Sequence, residues 1–294
     1  RTIDSSSTNI LVSGNVFNST YVKRVYLPYN ITYFQGRGLL GIGNYWTIEN
    51  NYFFNTSYTF SSQGPCPQGD IGWGILIYGD FVTIRDNHLK DNSCGIYLIG
   101  SNGLVENNLI DGTNSINEGS GLRSEGNNSI FSGNTLVSAS SYFTYPGVFH
   151  VQFLNNDFDN YYESFHLSGT DNVISGNTFK GATYIGTYNA FGDRNYVSNN
   201  TFNLLGSEHV ELGGSNNYFA DNVVEPIFIL SNGIGPVVNN SIVRNKFFGD
   251  VGVSISEANY TNLSNNTIYS AYNGVGIGYS SYATICDNFI YAAS

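Results

Sequence analysis

The sequence predicts an all-β solenoid of about 12 coils, in which short parallel strands of a single domain spanning residues 1–294 stack at a regular interval. Three observations support this fold class: a recurring six-residue phrase, two apolar columns that flank it, and a bend residue at its centre. The phrase consists of an apolar residue, two spacers, an asparagine, one spacer and a second apolar residue, as in Val105–Ile110. Its asparagine recurs at Asn15, Asn51, Asn87, Asn108, Asn134, Asn156, Asn177, Asn200, Asn222, Asn245, Asn266 and Asn288.

The interval between successive phrases is the first evidence for a repeat fold. The first two intervals are 36 residues, and the later ones are between 21 and 26 residues. A sustained period of about 22 residues is typical of solenoids, in which each repeat forms one turn. The two long intervals predict that extra residues leave the first coils as loop excursions near residues 19–36 and 55–73.

Two columns of apolar residues flank the asparagines and predict the core. Three positions before the Asn stand Val12, Ile48, Ile84, Val105, Phe131, Phe153, Ile174, Val197, Phe219, Ile242, Leu263 and Ile285. Two positions after it stand Phe17, Phe53, Leu89, Ile110, Leu136, Phe158, Phe179, Phe202, Val224, Phe247, Ile268 and Ile290. Chance does not produce two such columns in a chain that is 41% hydrophobic. Both short strands of each coil are therefore expected to face a common interior.

The residue directly before each asparagine predicts a sharp corner between the two strands. These positions hold Gly14, Asn50, Asp86, Asn107, Gly133, Asn155, Gly176, Asn199, Asp221, Arg244, Asn265 and Asp287. Gly, Asn and Asp tolerate a left-handed backbone conformation, and only Arg244 departs from this pattern. The Asn that follows is expected to point inward, where its amide requires hydrogen bonds. A bond to the Asn of the next coil would form an internal ladder.

With these features the chain resembles the right-handed parallel β-helix superfamily, which includes pectate-lyase-like and other carbohydrate-active repeat proteins. The resemblance covers nearly the whole chain and implies an internal Asn ladder. It is specific for the fold, whereas one fold serves many functions. The catalytic signatures of related enzymes are absent from the sequence. There is no Asn-Thr-Asp, Gly-His-Gly or Arg-Ile-Lys set of polygalacturonases, no Asp-Pro-His of alginate epimerases, and no cluster of aspartates for the Ca²⁺ of pectate lyases.

Composition and charge restrict the classes of partner. Charged residues make up 11% of the chain, the formal net charge is −11 and the pI is near 4.6. A chain this acidic is not expected to bind nucleic acid or anionic membranes. No transmembrane run or signal peptide is apparent, and the lack of Met predicts a mature form or an excised domain. No His/Cys spacing indicates a metal site, and no cofactor is predicted.

A second strand is predicted about 12 residues before each Asn in the regular part of the chain. Period-two alternation places Ile75, Ile96, Leu122, Phe165 and Val210 inward. The last coil ends without a polar cap. This predicts either a continuation of the chain or end-to-end or side contacts with another subunit.

Nine N-x-S/T sequons indicate N-linked glycosylation in a secreted protein. They begin at Asn18, Asn30, Asn55, Asn127, Asn199, Asn239, Asn259, Asn262 and Asn265. A chain rich in Asn, Ser and Thr also produces such triplets by accident. Together with the low charge, the sequons favour an extracellular or cell-surface location.

One outward column, 11 residues before the asparagines, is a candidate substrate-binding groove. It consists of Leu40, Leu76, Tyr97, Arg123, Tyr145, His166, Asn189 and Glu211, and His209 lies beside it. The polar side chains of Arg123, His166, His209 and Glu211 resemble the groove in which β-helix proteins bind a sugar chain. An ordinary solvated face is the alternative interpretation.

Asp157 and Asp159 are the candidate catalytic residues. Two positions apart on one strand, they face the same side at a separation of about 7 Å. This separation suits the acid and base of an inverting glycosidase. Lys180 is expected one coil along from Asp159, where it would contact substrate. Solvated surface carboxylates are the alternative.

Phe248, Tyr269 and Tyr291 share one outward offset on three consecutive coils. Exposed aromatic rows can bind sugar faces or make subunit contacts. The alternative is a ladder that shields the sheet.

We therefore expect an extracellular, N-glycosylated β-helix protein with a structural, adhesive or glycan-binding role. Its predicted partners are glycans or neighbouring surface-protein subunits. Two alternatives remain open: a polysaccharide hydrolase or lyase that acts in a groove along the β-helix face, and a carbohydrate-binding module of a larger secreted protein. The missing catalytic signatures favour a role without catalysis.

The three cysteines predict one disulfide and one free thiol. Cys66 lies in the Pro-Cys-Pro of the second excursion, and Cys94 begins the next coil. A Cys66–Cys94 bond would attach the excursion to the barrel, which leaves Cys286 unpaired.

Thiol counting tests this pairing. We expect one reactive thiol per chain in denaturant, that of Cys286, and all 3 cysteines to react after reduction. Cys66→Ser should release a second reactive thiol, that of Cys94. Reaction of every cysteine without a reductant would contradict the disulfide.

Overall fold

The computed structural model describes residues 8–18, 38–54, 73–92, 94–112, 120–137, 140–159, 163–185, 192–203, 209–225, 227–231 and 237–292. The chain forms two compact units. Unit 1 comprises Arg1–Gly126 and Asn134–Ser141, and unit 2 comprises Asn127–Gly133 and Tyr142–Ser294. The single domain predicted for residues 1–294 stays a prediction.

Short strands account for the regular structure. The first are β1 (Leu11–Ser13), β2 (Val16–Asn18), β3 (Leu39–Ile42), β4 (Thr47–Glu49), β5 (Tyr52–Phe54), β6 (Trp73–Tyr78), β7 (Thr83–Arg85), β8 (His88–Lys90), β9 (Cys94–Ile99), β10 (Leu104–Glu106), β11 (Leu109–Asp111), β12 (Ser120–Ser124), β13 (Ile130–Ser132) and β14 (Thr135–Val137). Next come β15 (Ser140–Phe149), β16 (Gln152–Leu154), β17 (Asp157–Asp159), β18 (Glu163–Thr170), β19 (Val173–Ser175), β20 (Thr178–Phe179), β21 (Ala182–Ile185), β22 (Tyr196–Ser198), β23 (Thr201–Phe202), β24 (His209–Leu212), β25 (Tyr218–Ala220) and β26 (Val223–Val224). The last are β27 (Ile227–Leu230), β28 (Val237–Val238), β29 (Ser241–Val243), β30 (Lys246–Ser256), β31 (Ala258–Asn259), β32 (Asn262–Ser264), β33 (Thr267–Gly278), β34 (Thr284–Cys286) and β35 (Phe289–Ala292).

Strands at equivalent positions of successive coils pair in parallel, which confirms the predicted all-β solenoid. In unit 1, β1, β4, β7 and β10 form one sheet, in which Val12, Ile48, Ile84 and Val105 are register partners. In unit 2, β13, β16, β19, β22, β25, β29, β32 and β34 form the equivalent sheet. The strands after each Asn and the second strands of each coil pair in the same way, for example β17 with β20 and β21 with β24.

The predicted number of coils is wrong. The solenoid has about 8 turns, not about 12. The prediction counted every Asn-centred phrase as one full turn.

The two predicted apolar columns form the core. Their members are buried along both units, except that Phe17 is half-buried and the last pair, Ile285 and Ile290, is 41% and 45% exposed. The residues predicted to face inward from the second strands, Ile75, Ile96, Leu122, Phe165 and Val210, are fully buried. Aromatic rings stack inside unit 2, where Phe179 lies 5.1 Å from Phe158 and 4.9 Å from Phe202 between ring centroids.

Every residue predicted to form the corner has a positive φ. Gly176 illustrates the constraint, because a Cβ on it would lie 2.2 Å from Asn155 Oδ1. Arg244, the exception by residue type, adopts φ 56°. Its guanidinium donates hydrogen bonds of 2.9 and 2.8 Å to the carboxylate of Asp221 and one of 3.1 Å to Tyr218 Oη. These bonds to the preceding coil hold Arg244 in a conformation that its residue type disfavours.

The ladder asparagines point inward and bond to one another, as predicted. Asn200 Oδ1 accepts from the backbone N–H of Asn177 at 2.9 Å and from Asn177 Nδ2 at 3.0 Å. Asn177 Nδ2 also donates to the carbonyl of Phe153 at 2.8 Å. Asn108 and Asn134 form the equivalent pair in unit 1, with both donor atoms 3.0 Å from Asn134 Oδ1. Each of these amides thus has hydrogen-bond partners for its own polar atoms and accepts a bond from a backbone N–H at the corner.

A second Asn ladder runs through unit 2 and was not predicted. Asn172, Asn195, Asn217 and Asn240 are at most 1% exposed. The backbone N–H of each of the first three donates to Oδ1 of the next, at 3.1, 2.8 and 2.8 Å. They follow a second series of corner residues with positive φ, Asp171, Arg194, Asn216 and Asn239.

Two sequence predictions concern residues that the structure does not describe. The loop excursions near 19–36 and 55–73 lie outside the described residues, apart from Trp73. Cys66 lies outside them as well, so its disulfide with Cys94 stays a prediction. Within the described ranges, no helix has the length and apolar character needed to cross a membrane.

Removing one ladder amide should destabilise the protein strongly. Asn200→Ala deletes the acceptor of Asn177 N and Nδ2 and the donor to Ile174 O, which leaves several buried polar groups unpaired. We expect the free energy of unfolding to fall by about 3–5 kcal/mol in urea denaturation. Asn203→Ala, at an exposed position directly after β23, is the matched control and should change stability by less than about 0.5 kcal/mol. Equal stability of the two variants would contradict the ladder.

Candidate functional site

The predicted carboxylate pair and Lys180 come together on one face of unit 2. Asp157 and Asp159 flank the buried Phe158 on β17. Lys180 Nζ lies 2.9 Å from Asp159 Oδ2 and 3.7 Å from Asp157 Oδ2. The hydrogen bond to Asp159 is the main cause that raises the pKa of Lys180, and Asp157 adds to it. All three side chains are about 40% exposed.

Asp157, Asp159 and Lys180 form a salt-bridge network, and the catalytic role of the two carboxylates stays a prediction. A general acid must hold its proton at the working pH, which requires an environment that disfavours the carboxylate. Here the Lys180 ammonium lies between the two carboxylates and attracts the negative charge of both. The geometry therefore gives Asp157 and Asp159 a shared ion-pair partner, Lys180.

A second cluster joins three of the predicted substrate-binding residues in unit 2. His166 is buried, and its ring stacks on that of Tyr184 at a centroid distance of 4.6 Å. His209 meets Tyr184 edge-on at 5.3 Å. Glu211 is the register partner of Tyr184 on the next strand. We refer to His166, Tyr184, His209 and Glu211 as the histidine cluster.

Glu211 is held by two partners. Its Oε1 accepts a 2.6 Å hydrogen bond from Ser231 Oγ, and its Oε2 lies 3.7 Å from His209 Nε2. These interactions, that of His209 first, lower the pKa of Glu211 against the opposing effect of burial. The carboxylate is therefore fixed in its ionised form at neutral pH.

Tyr184 is the member of the histidine cluster that sequence reasoning missed. The prediction used a uniform offset of 11 residues before each ladder Asn, and this offset assigned the position in this coil to Asn189, which lies outside the described residues. The strand here is β21, and its register places Tyr184 between His166 and Glu211. The strand-like composition of Ala182-Thr183-Tyr184-Ile185 was the signal that could have located it.

Arg123 belongs to a different cluster, in unit 1. Its guanidinium lies 3.1 Å from Glu125 Oε1 and 4.8 Å from the centroid of the Tyr97 ring. Tyr97 Oη hydrogen-bonds to Glu125, and burial, followed by this bond, raises the pKa of Tyr97.

The N-terminal half of the predicted groove is not open to solvent. Leu40, Leu76 and Tyr97 pack with Trp73 and Cys94 in a buried cluster on this side of unit 1. Leu40, Leu76 and Tyr97 are therefore closed to solvent, whereas Arg123 of the same column is half-buried.

The predicted aromatic row is in register and exposed. Phe248, Tyr269 and Tyr291 are partners across β30, β33 and β35 of unit 2. The rings of Phe248 and Tyr269 stack at 5.4 Å with an interplanar angle of 7°, and those of Tyr269 and Tyr291 lie 6.3 Å apart. The residues are 36%, 41% and 59% exposed, in that order. We refer to these three residues as the aromatic row.

The sequons fall into three groups. Asn18, Asn199, Asn239 and Asn265 are exposed, whereas Asn127, Asn259 and Asn262 are half-buried. Asn30 and Asn55 lie outside the described residues. In the triplets at Asn199, Asn239 and Asn265, the first residue has a positive φ at a corner and the second is a buried ladder Asn. The repeat itself therefore accounts for these three sequons.

The family of the chain follows from its sequence. Residues 66–231 match the family described as periplasmic copper-binding protein (NosD). This match covers more than half of the 294 residues. The chain belongs to the NosD family. No curated protein is significantly similar to it.

Solved structures agree with the fold. A structure of PfbA, a surface adhesin of Streptococcus pneumoniae, aligns with a TM-score of 0.57 and 14% identity over 98% of this chain and 80% of the adhesin chain. A second structure of the same adhesin gives a TM-score of 0.49 and 10% identity over 100% and 89% of the two chains. A GH136 lacto-N-biosidase from Eubacterium ramulus gives 0.33 and 11% over 98% and 57%. The adhesin with the higher score supports the β-helix fold, and the family to which the chain belongs is described as periplasmic.

The described residues of this NosD-family chain do not fit a bound copper ion. Protein copper sites use Cys, Met and His ligands, and the chain contains no Met. Across the described ranges, no three His, Cys, Asp or Glu side chains lie close enough together to hold a metal. His166 and His209 both pack on Tyr184, and His88 packs on Tyr52 in unit 1. Cys286 is an exposed free thiol, as the sequence predicted.

The lowered pKa of Glu211 predicts pH-dependent stability. A carboxylate with a depressed folded-state pKa stabilises the fold above its ordinary value of 4.5 and loses that contribution as the pH falls through the folded-state value. Glu211→Gln should lower the free energy of unfolding by about 1 kcal/mol at neutral pH. Urea denaturation should show this difference shrinking towards about pH 3.

Glu225→Gln provides the control, because Glu225 is exposed. It should leave stability nearly unchanged at both pH values. A Glu211→Gln effect of the same size in acid and at neutral pH would contradict the assignment to the ionised carboxylate.

Proposed function

We propose that this chain is a non-catalytic carbohydrate-binding β-helix protein that acts at the cell surface or in a secreted form. The exposed aromatic row is the observation that supports this proposal. The exposed parts of these aromatic rings offer apolar surface to the apolar faces of pyranose sugars. Contiguous exposed apolar patches on soluble proteins are typically interaction sites.

The aromatic row is built as a rigid surface. The residue that precedes each ring, Phe247 for Phe248 and Ile268 for Tyr269, is fully buried in the core. The two strands are held in register by parallel pairing. A site whose side chains are already fixed loses little conformational entropy when a ligand binds. This rigidity favours an extended ligand over one that requires the protein to close around it.

Two of the described carboxylates are held in the ionised form, which does not suit proton donation. Asp171 and Glu211 have lowered pKa values, mainly because of Arg194 and His209 respectively. This is the direction opposite to that of a general acid in a glycosidase. Asp157 and Asp159 share Lys180 as an ion-pair partner. A hydrolase or lyase mechanism has no comparable support.

The proposal also covers N-linked glycosylation at specific positions and an adhesive role. Among the sequon residues that the structure describes, Asn18, Asn199, Asn239 and Asn265 are exposed, so we propose these as the glycan-bearing positions. A structural or adhesive role is compatible with the aromatic row, because a protein that binds carbohydrate on one face can attach to a glycan-covered neighbour. A module of a larger secreted protein would use the same surface.

Loss of the central ring should abolish most of the affinity. Tyr269→Ala removes the residue that contacts rings on both sides, and we expect the affinity for a bound neutral polysaccharide to fall about tenfold. Affinity gel electrophoresis against a panel of soluble polysaccharides, followed by calorimetry on those that bind, measures this change.

Tyr196→Ala is the matched control. Tyr196 is 43% exposed and also stacks on a neighbouring Tyr, but it belongs to the sheet of first strands. Its substitution should leave affinity unchanged. Equal losses in the two variants, or binding that neither substitution affects, would overturn the aromatic row as the binding surface.

A further inference from the structure

We infer that the aromatic row is one end of a longer binding strip that holds a neutral, extended polysaccharide lengthwise along unit 2. This inference rests on the proposed function and specifies its ligand. The strip is the outward column three residues after each ladder Asn. Its members are Asp159, Lys180, Asn203, Glu225, Phe248, Tyr269 and Tyr291.

Backbone pairing fixes the polar members of the strip on successive rungs. The N–H groups of Lys180, Asn203 and Glu225 donate to carbonyls of the preceding coil at 2.9, 2.8 and 2.9 Å. The buried residues beside them, such as Phe179 and Phe202, are register partners. Adjacent parallel strands lie about 4.8 Å apart, so the strip extends for about 29 Å from Asp159 to Tyr291.

The rung spacing matches the repeat of a sugar chain. One pyranose ring in a fully extended β-linked chain advances by a distance similar to the spacing between strands. Successive sugars of a short oligosaccharide can therefore meet successive coils. At the aromatic end the sugars would contact the exposed edges of the rings, and at the polar end their hydroxyls would meet the exposed side chains of Asn203 and Glu225.

The charges on this face select against acidic polysaccharides. Lys180 is paired with Asp159 and Asp157, so its ammonium is already neutralised. Glu225 then leaves the strip negative, and Lys246 in the neighbouring outward column adds one exposed cation. In the two columns together, the carboxylates of Asp157, Asp159 and Glu225 outnumber the ammonium groups of Lys180 and Lys246. The whole chain has a formal net charge of −11. A polymer with a carboxylate on every unit would be repelled, whereas a neutral one would not.

A length series tests the inference. The probes are cello-, manno- and xylo-oligosaccharides from dimer to heptamer, with oligogalacturonides of equal length as acidic counterparts. Calorimetry on the intact chain should show affinity for at least one neutral series that rises steadily with length up to the heptamer. Oligogalacturonides should bind at least about tenfold more weakly at each length.

Two variants separate the strip from the aromatic row alone. Asn203→Ala combined with Glu225→Gln should leave trimer affinity unchanged but remove the gain between trimer and heptamer. Tyr269→Ala should weaken both. Affinity that is independent of length, or a length gain that survives the double substitution, would overturn the strip while leaving the proposed function intact. If no series binds, the proposed function fails with it.

Discussion

The hydrogen bond between the side-chain amides of asparagines on successive coils is the constraint on which the rest of this structure depends. Each Oδ1 accepts from both the backbone N–H and the side chain of the preceding Asn, as Asn222 does from Asn200. The amides are buried, so each donor and acceptor must be satisfied by the next coil or remain unpaired at a high cost. The ladder therefore permits one register, and the corner residue before each Asn has a positive φ because that geometry turns the amide inward.

The register that the internal ladder imposes also determines which side chains are neighbours on the outer surface. Side chains that alternate along each strand point outward at fixed steps, so Asp159, Lys180 and Asn203 occupy neighbouring rungs for the same reason that Phe158, Phe179 and Phe202 stack inside. Such a scaffold suits a ligand that is itself periodic. On its outward columns, carboxylates pair with cations on adjacent coils, as Asp157, Asp159 and Lys180 show.

Features that recur in every coil could be predicted from the sequence, whereas features confined to a few coils could not. The apolar columns, the corners and the first ladder could all be predicted, because each requires the same residue type in every coil. The second ladder was missed because its residues, such as Asn172 and Asn195, form a shorter series. Tyr184 was missed because the strand that holds it does not follow the uniform offset. The burial of Leu40 and Leu76 on an outward column depends on packing around Trp73 and Tyr97, and no repeat pattern encodes this contact.

Exchange of asparagine side-chain amides tests the ladder most directly. Protein labelled with ¹⁵N only at asparagine would be transferred to D₂O, and its side-chain NH₂ signals would be followed by NMR. The ladder account predicts a set of signals, those of Asn177, Asn200 and Asn222 among them, that persist long after exposed amides such as Asn203 have exchanged. Complete exchange of all asparagine side chains at the rate of Asn203 would contradict it.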